Sequence, residues 1–110
     1  MKIENSKYYK EMTKAITEIA SSYFISRRMI LTKNDTVASG EMDLFNPYYL
    51  YIDRVNQTFI KLNNLEKEVL YNEFFYPNEP NWWIPYYEKR HFIGIKVRAM
   101  KNFLRVYNEL

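Results

Sequence analysis

Arg90, Arg98, Lys101 and Arg105 recur at helical spacing in the last quarter of the chain. Gly94 lies in the same row, and Lys89 and His91 flank its first member. Guanidinium and ammonium groups in a row are suited to holding a polyanion. Lysine and arginine neutralise phosphates, which gives affinity and salt dependence without sequence information. An arginine that reaches a base edge binds guanine O6 and N7 with two hydrogen bonds. In a helix-turn-helix the second helix enters the major groove with its N-terminal residues nearest the bases. On that geometry Arg90 and His91 would meet base edges, and Lys89, Arg98, Lys101 and Arg105 would make positioning contacts. The same row also suits the solvated face of an ordinary helix.

The row must be carried by a helix, and the spacing predicts one from Glu88 to Leu110. At about 100° per residue, Arg90, Gly94, Arg98, Lys101 and Arg105 fall within roughly a quarter of the wheel. Phe92, Ile95, Ala99, Phe103, Val106 and Leu110 line the opposite side, and Ile93, Val97, Met100, Leu104 and Tyr107 widen it. Gly94 is out of place there, because a glycine inside a helix is about 1 kcal/mol worse than alanine. Three explanations stand: the backbone approaches a phosphate or base edge, the helix starts later with Gly94 in the turn, or the glycine has no role. In the preceding segment, Asn81-Trp82-Trp83-Ile84-Pro85-Tyr86-Tyr87, residues Trp82 to Tyr87 predict a brief helix made irregular by Pro85, placed to support the basic one. Trp82 and Trp83 suit core packing, or stacking on unpaired bases.

Further upstream, Tyr9, Met12, Ile16, Ile19, Ala20, Tyr23 and Phe24 recur at steps of three and four, which predicts a first helix over residues 5–31. Thr32 to Glu41 reads as a loop by composition. Asn46-Pro47 predicts the start of a second helix, with Asn as cap and Pro in the first turn. Its apolar positions are Tyr48, Tyr51, Ile52, Val55, Phe59 and Leu62. Asn63 followed by Glu66 is a capping-box signature for a third helix. Leu65, Val69, Leu70 and Phe74 are expected to face inward there, and Pro77 to end the run.

Composition narrows the function classes. The 110 residues suffice for one domain and one core. Two glycines are too few for the tight turns of a small β domain, so an all-α fold of about five helices is expected. The chain has no cysteine, which excludes disulfides, zinc ribbons and thiol nucleophiles. His91 is the sole histidine and makes no metal site alone, even with Glu88 one turn away. Glu66, Glu68, Glu73 and Glu79 fall on one expected polar face and its following turn, a pattern for solubility or for shielding the basic face and not for paired catalytic carboxylates. With no phosphate loop or nucleophile elbow either, neither an enzyme nor a cofactor is expected. The opening residues lack the apolar run of a signal peptide, and no stretch approaches the ~20 apolar residues of a membrane span. A cytoplasmic protein with no membrane partner is therefore expected. Charge is unevenly spread: residues 81–110 carry six Lys/Arg against two Asp/Glu, and residues 41–80 carry three against seven. A basic end beside an acidic middle fits one face meeting an anionic partner.

From about Tyr48 onward, the order is helix, capped helix, short turn, short aromatic helix, long basic helix. With Leu62 to Leu70, Phe74-Phe75, Trp82-Trp83, Tyr86-Tyr87 and the run Phe92 to Leu104, this order resembles the region-four-like module of bacterial sigma factors. It is most similar to the small phage-type transcriptional activators, and to small proteins of wall-less bacteria that share the module. Phe92-Ile93 takes the place of the family's paired aromatics, and Lys96, Arg98, Ala99, Phe103 and Leu104 keep the following pattern. Glu88-Lys89-Arg90-His91 stands where relatives place a Ser or Thr cap, and Gly94 where they often carry Arg. The resemblance covers residues 47–110 and implies a helix-turn-helix and a DNA-binding transcription regulator. Residues 1–46 form an N-terminal helix and loop of unassigned role in the same domain. The implied partner is double-stranded DNA. The alternative is a protein–protein adaptor that meets RNA polymerase or a second copy of the chain through the wide apolar face of the last helix.

Overall fold

The computed structural model describes residues 2–36 and 46–110. Among them the order is a 3-10 turn (Ile3–Asn5), α1 (Lys7–Thr36), α2 (Pro47–Ile60), α3 (Asn64–Leu70), a π-turn (Tyr71–Phe75) and α4 (Lys89–Glu109). The described residues contain no strand, as an all-α fold requires. They form four α-helices, not about five.

Local chemistry explains the starts and stops. Ser6 Oγ accepts the Tyr9 N–H at 3.1 Å and opens α1. Asn46 Oδ1 accepts the Tyr48 N–H at 2.8 Å, and Pro47 occupies the first turn of α2, where its missing N–H is harmless. Asn63 Oδ1 accepts the Glu66 N–H at 2.8 Å while Glu66 Oε1 accepts the Asn63 N–H at 3.0 Å, completing the capping box. The π-turn closes with the Tyr76 N–H on the Tyr71 carbonyl at 2.6 Å, and Pro77 follows. Two expectations need correction. α1 continues past Leu31 to Thr36, so the first part of the supposed loop is helix; residues 37–41 of it lie outside the described residues. Residues 81–86 form successive turns and no helix. The Ile84 and Tyr86 N–H groups bond three residues back, to Asn81 and Trp83. Pro85 offers no N–H, and it disfavours the helical conformation of Ile84 before it.

The core is built around the inner face of α4. Phe92, Ala99, Met100, Phe103, Val106 and Tyr107 are buried there against Met12, Ile16 and Ala20 of α1, Val55 and Phe59 of α2, and Val69 and Leu70 of α3. Leu62 and Phe75, from the connections, complete it. Phe103 packs 5.5 Å from Phe59, 5.9 Å from Phe75 and 5.9 Å from Tyr107, centroid to centroid. Each such ring contributes about 1.5–3 kcal/mol by leaving water. Three expected inward residues, Leu65, Tyr48 and Leu110, are exposed instead, Leu65 in the first turn of α3 and Leu110 at the chain end.

Polar contacts then fix α4 on the bundle. Thr13 of α1 donates to Met100 Sδ at 3.7 Å. Arg54 of α2 donates from Nε and Nη2 to the Tyr107 carbonyl at 3.0 and 2.8 Å, with its guanidinium 4.0 Å from the Tyr107 ring centroid. A cation on a last-turn carbonyl satisfies an otherwise open acceptor and complements the helix dipole. The Asn102 amide donates to Glu66 of α3. α4 is therefore held along its length by three helices, and its remaining face looks outward.

Candidate nucleic-acid interface

Arg90, Gly94, Arg98, Lys101 and Arg105 are all exposed, on the side of α4 opposite Phe92, Ala99 and Phe103. At ~1.5 Å rise per residue the row runs about 22 Å from Arg90 to Arg105. Arg90 and Arg98 have no ion pair among the described residues. Arg105 Nη1 lies 3.6 Å from Glu109, both exposed, and Lys101 Nζ lies 5.5 Å from the Tyr8 ring centroid. An exposed ion pair such as Arg105–Glu109 contributes about 0–1 kcal/mol and is readily exchanged for another anion.

The first turn of α4 carries the other predicted residues. Lys89 Nζ lies 3.6 Å from Glu4 in the N-terminal 3-10 turn. His91 is exposed, with its ring edge-on to Tyr87 at 5.8 Å. Glu88 is the N-cap and makes no side-chain capping bond, so the helix start is not closed by its own residue. A helix N-terminus in this state carries partial positive charge, which adds to that of Lys89 and Arg90. Beside it, Lys2, Ile3 and Glu4 face Lys89, Arg90 and Ile93 across a cavity of about 430 Å³. Sequence spacing could not reveal this neighbour, because it comes from the other end of the chain.

Gly94 sits well inside the helix, not in the turn before it, which removes one of its three explanations. A Cβ placed there meets nothing within 4 Å. The protein's own packing thus gives no reason for the glycine.

Three charged residues, Lys96, Glu66 and Glu73, turn inward. Lys96 lies on the core side of α4, with Nζ 3.1 Å from Glu73 Oε1 and 5.4 Å from the ring centroids of Tyr9 and Phe74. Burial works against its charge, but the Tyr9 hydroxyl and the Glu73 carboxylate outweigh burial and raise its pKa. Glu66, read from sequence as part of a polar face, is buried in its capping box and against Asn102. Glu73, from the same supposed face, holds Lys96 and accepts the Trp82 Nε1–H at 3.1 Å. Periodicity misses such pairs, because residue type alone reads each partner as surface. Only the capping spacing of Glu66 hinted at a local role.

Trp82 and Trp83 pack around Phe92: Trp83 stacks on it at 4.7 Å and 5°, and Trp82 meets it edge-on at 5.6 Å. Among the described residues no group of three His, Cys, Asp or Glu could hold a metal, and no helix is long and apolar enough to cross a membrane. No protein-family model, curated protein or solved structure matches the chain.

Proposed function

We propose that this chain is a DNA-binding transcription regulator that lays α4 in the major groove of duplex DNA. The observation that carries the proposal is the row Arg90, Gly94, Arg98, Lys101, Arg105, exposed along one face of an uninterrupted helix whose other face is core. Between Lys89 and Asn108 the helix has no carboxylate to oppose a phosphate. Arg90 and His91, next to the uncapped helix start, take the positions nearest base edges. Lys89, Arg98, Lys101 and Arg105 hold the backbone. Gly94 lets the helix lie close to the groove wall. The proposed scaffold is a region-four-like helix-turn-helix in which the turns of residues 81–86 replace a regular supporting helix.

The apolar face of α4 on which the adaptor alternative relied is taken up by the chain's own core. That lowers the support for RNA polymerase or a second copy docking there. Fluorescence anisotropy with a labelled mixed-sequence duplex at two salt concentrations tests the proposal. Binding that weakens steeply with salt is expected, and an absence of binding at low salt overturns it.

A further inference from the structure

The segment between Asn81 and Tyr87 is anchored on one side and bare on the other. Trp83 stacks on Phe92, Trp82 donates to Glu73, and the Tyr86 and Tyr87 N–H groups both bond to the Trp83 carbonyl at 3.0 Å. Pro85 fixes one further backbone angle. Yet Ile84 is 56% exposed and Tyr86 72%, the highest value for a large apolar side chain among the described residues. Two bulky side chains are therefore held out in water on a stiff backbone. Such a tip has little conformational freedom left to lose when it docks. Its surroundings select the occupant: Lys89 and Arg90 follow five and six residues after Ile84, and Glu88 is the single carboxylate between Asn81 and Lys101. An apolar tip at the head of a cationic row fits a ligand that combines phosphates with flat apolar faces.

We propose that Ile84 and Tyr86 form a wedge that packs against an unstacked base of the nucleic acid held by α4. The inference rests on the DNA-binding reading of α4 and adds a preference to it. Tryptophan is the obvious stacking residue in the sequence, but the fold commits both tryptophans to Phe92 and leaves the role to Tyr86. Apolar side chains inserted at a base step partly unstack it, and the penalty is least where pairing is already broken. The protein therefore favours a duplex with an unpaired base over a perfect one.

The test compares anisotropy titrations of a perfect duplex and the same duplex carrying a single-base bulge, at one salt concentration. The wild type is expected to bind the bulged duplex about tenfold more tightly, in line with the worth of one base–aromatic stack. Tyr86→Ala and Ile84→Ala are expected to cut that ratio toward one while leaving perfect-duplex affinity within about twofold, and Tyr86→Phe to keep it. Circular dichroism establishes that the variants fold. Tight perfect-duplex binding with no bulge preference, or a preference that survives Tyr86→Ala, overturns the wedge and leaves the DNA-binding reading standing. Loss of binding to a purified protein partner in Tyr86→Ala, with the DNA ratio unchanged, assigns the tip to protein contact and also overturns it. No binding to either duplex overturns both readings.

Discussion

The ammonium of Lys96 lies 3.1 Å from the Glu73 carboxylate, on the side of α4 turned away from Arg90, Arg98 and Arg105. Both side chains are largely buried, and Trp82 donates to the second Glu73 oxygen. One basic residue of the last helix thus locks it to the π-turn and the aromatic segment, while the others remain outside. Removing one partner of a buried pair leaves an uncompensated charge and typically costs about 3–5 kcal/mol. Glu73→Ala is expected to destabilise the fold by about 3 kcal/mol in urea denaturation. Glu109→Ala, which breaks the exposed pair with Arg105, is expected to change it by less than about 0.5 kcal/mol. Equal effects would mean that the Glu73 pair is solvated like the other.

Glu66 offers a second contrast. It completes the capping box of α3 and accepts from Asn102 of α4. A lost cap is worth about 1 kcal/mol, and a hydrogen bond to a buried charged group about 1.5–3. Glu66→Ala is expected to cost about 2–3 kcal/mol by the same bonds. Glu68→Ala, an exposed neighbour, is expected to cost less than about 0.5 kcal/mol. A loss for Glu66→Ala no larger than a cap alone would show that the link to α4 contributes nothing.

Gly94 gives a stabilising prediction. Its Cβ position is empty and its backbone is helical. Gly94→Ala is expected to raise stability by up to about 1 kcal/mol, read as a higher denaturation midpoint. Gly94→Glu is expected to weaken duplex binding, because it sets a carboxylate in the middle of the row. A destabilised alanine variant would show that the glycine serves the fold and not the surface.

Alkaline pH should unfold the protein in a defined window. Burial raises the phenols of Tyr23, Tyr51 and Tyr71, so the fold prefers their neutral forms. Lys96 is raised too, so the fold prefers its charged form. All four pKa values lie above those of the unfolded chain, about 10 for tyrosine and about 10.4 for lysine. Their contribution is complete below about pH 10 and is lost as pH rises through the folded values. Stability from these groups is therefore expected to be flat from about pH 7 to 9 and to fall above about pH 10. Tyr51→Phe, which removes the most strongly raised phenol, is expected to flatten that fall. An identical alkaline profile in the variant would contradict this assignment.

Local rules made much of the fold legible. Asn46-Pro47, the Asn63–Glu66 box and the basic row each depend on residues within a few positions of one another, and each is found where the sequence places it. The expectation at Thr32 failed because polar residues suggested a loop. A helix already formed extends at little further cost until a breaker intervenes, and none occurs between Leu31 and Thr36. Residues 82–87 failed in the opposite sense: their aromatic pattern suggested a helix, but Pro85 and its effect on Ile84 gave turns. The inward Lys96, Glu66 and Glu73 were illegible for another reason. Polarity predicts exposure, and only the partner brought by tertiary packing cancels the penalty of burial.

Phosphate contact by the outward row on α4, as proposed, is measured directly by the slope of log Kobs against log salt. Each phosphate contact contributes about 0.9 to that slope on B-DNA. The variant Arg90→Ala, Arg98→Ala, Arg105→Ala, with helicity verified by circular dichroism, is predicted to bind duplex more weakly and with a slope shallower by about two, the share of Arg98 and Arg105. Parallel lines of equal affinity for variant and wild type would show that the row does not hold DNA.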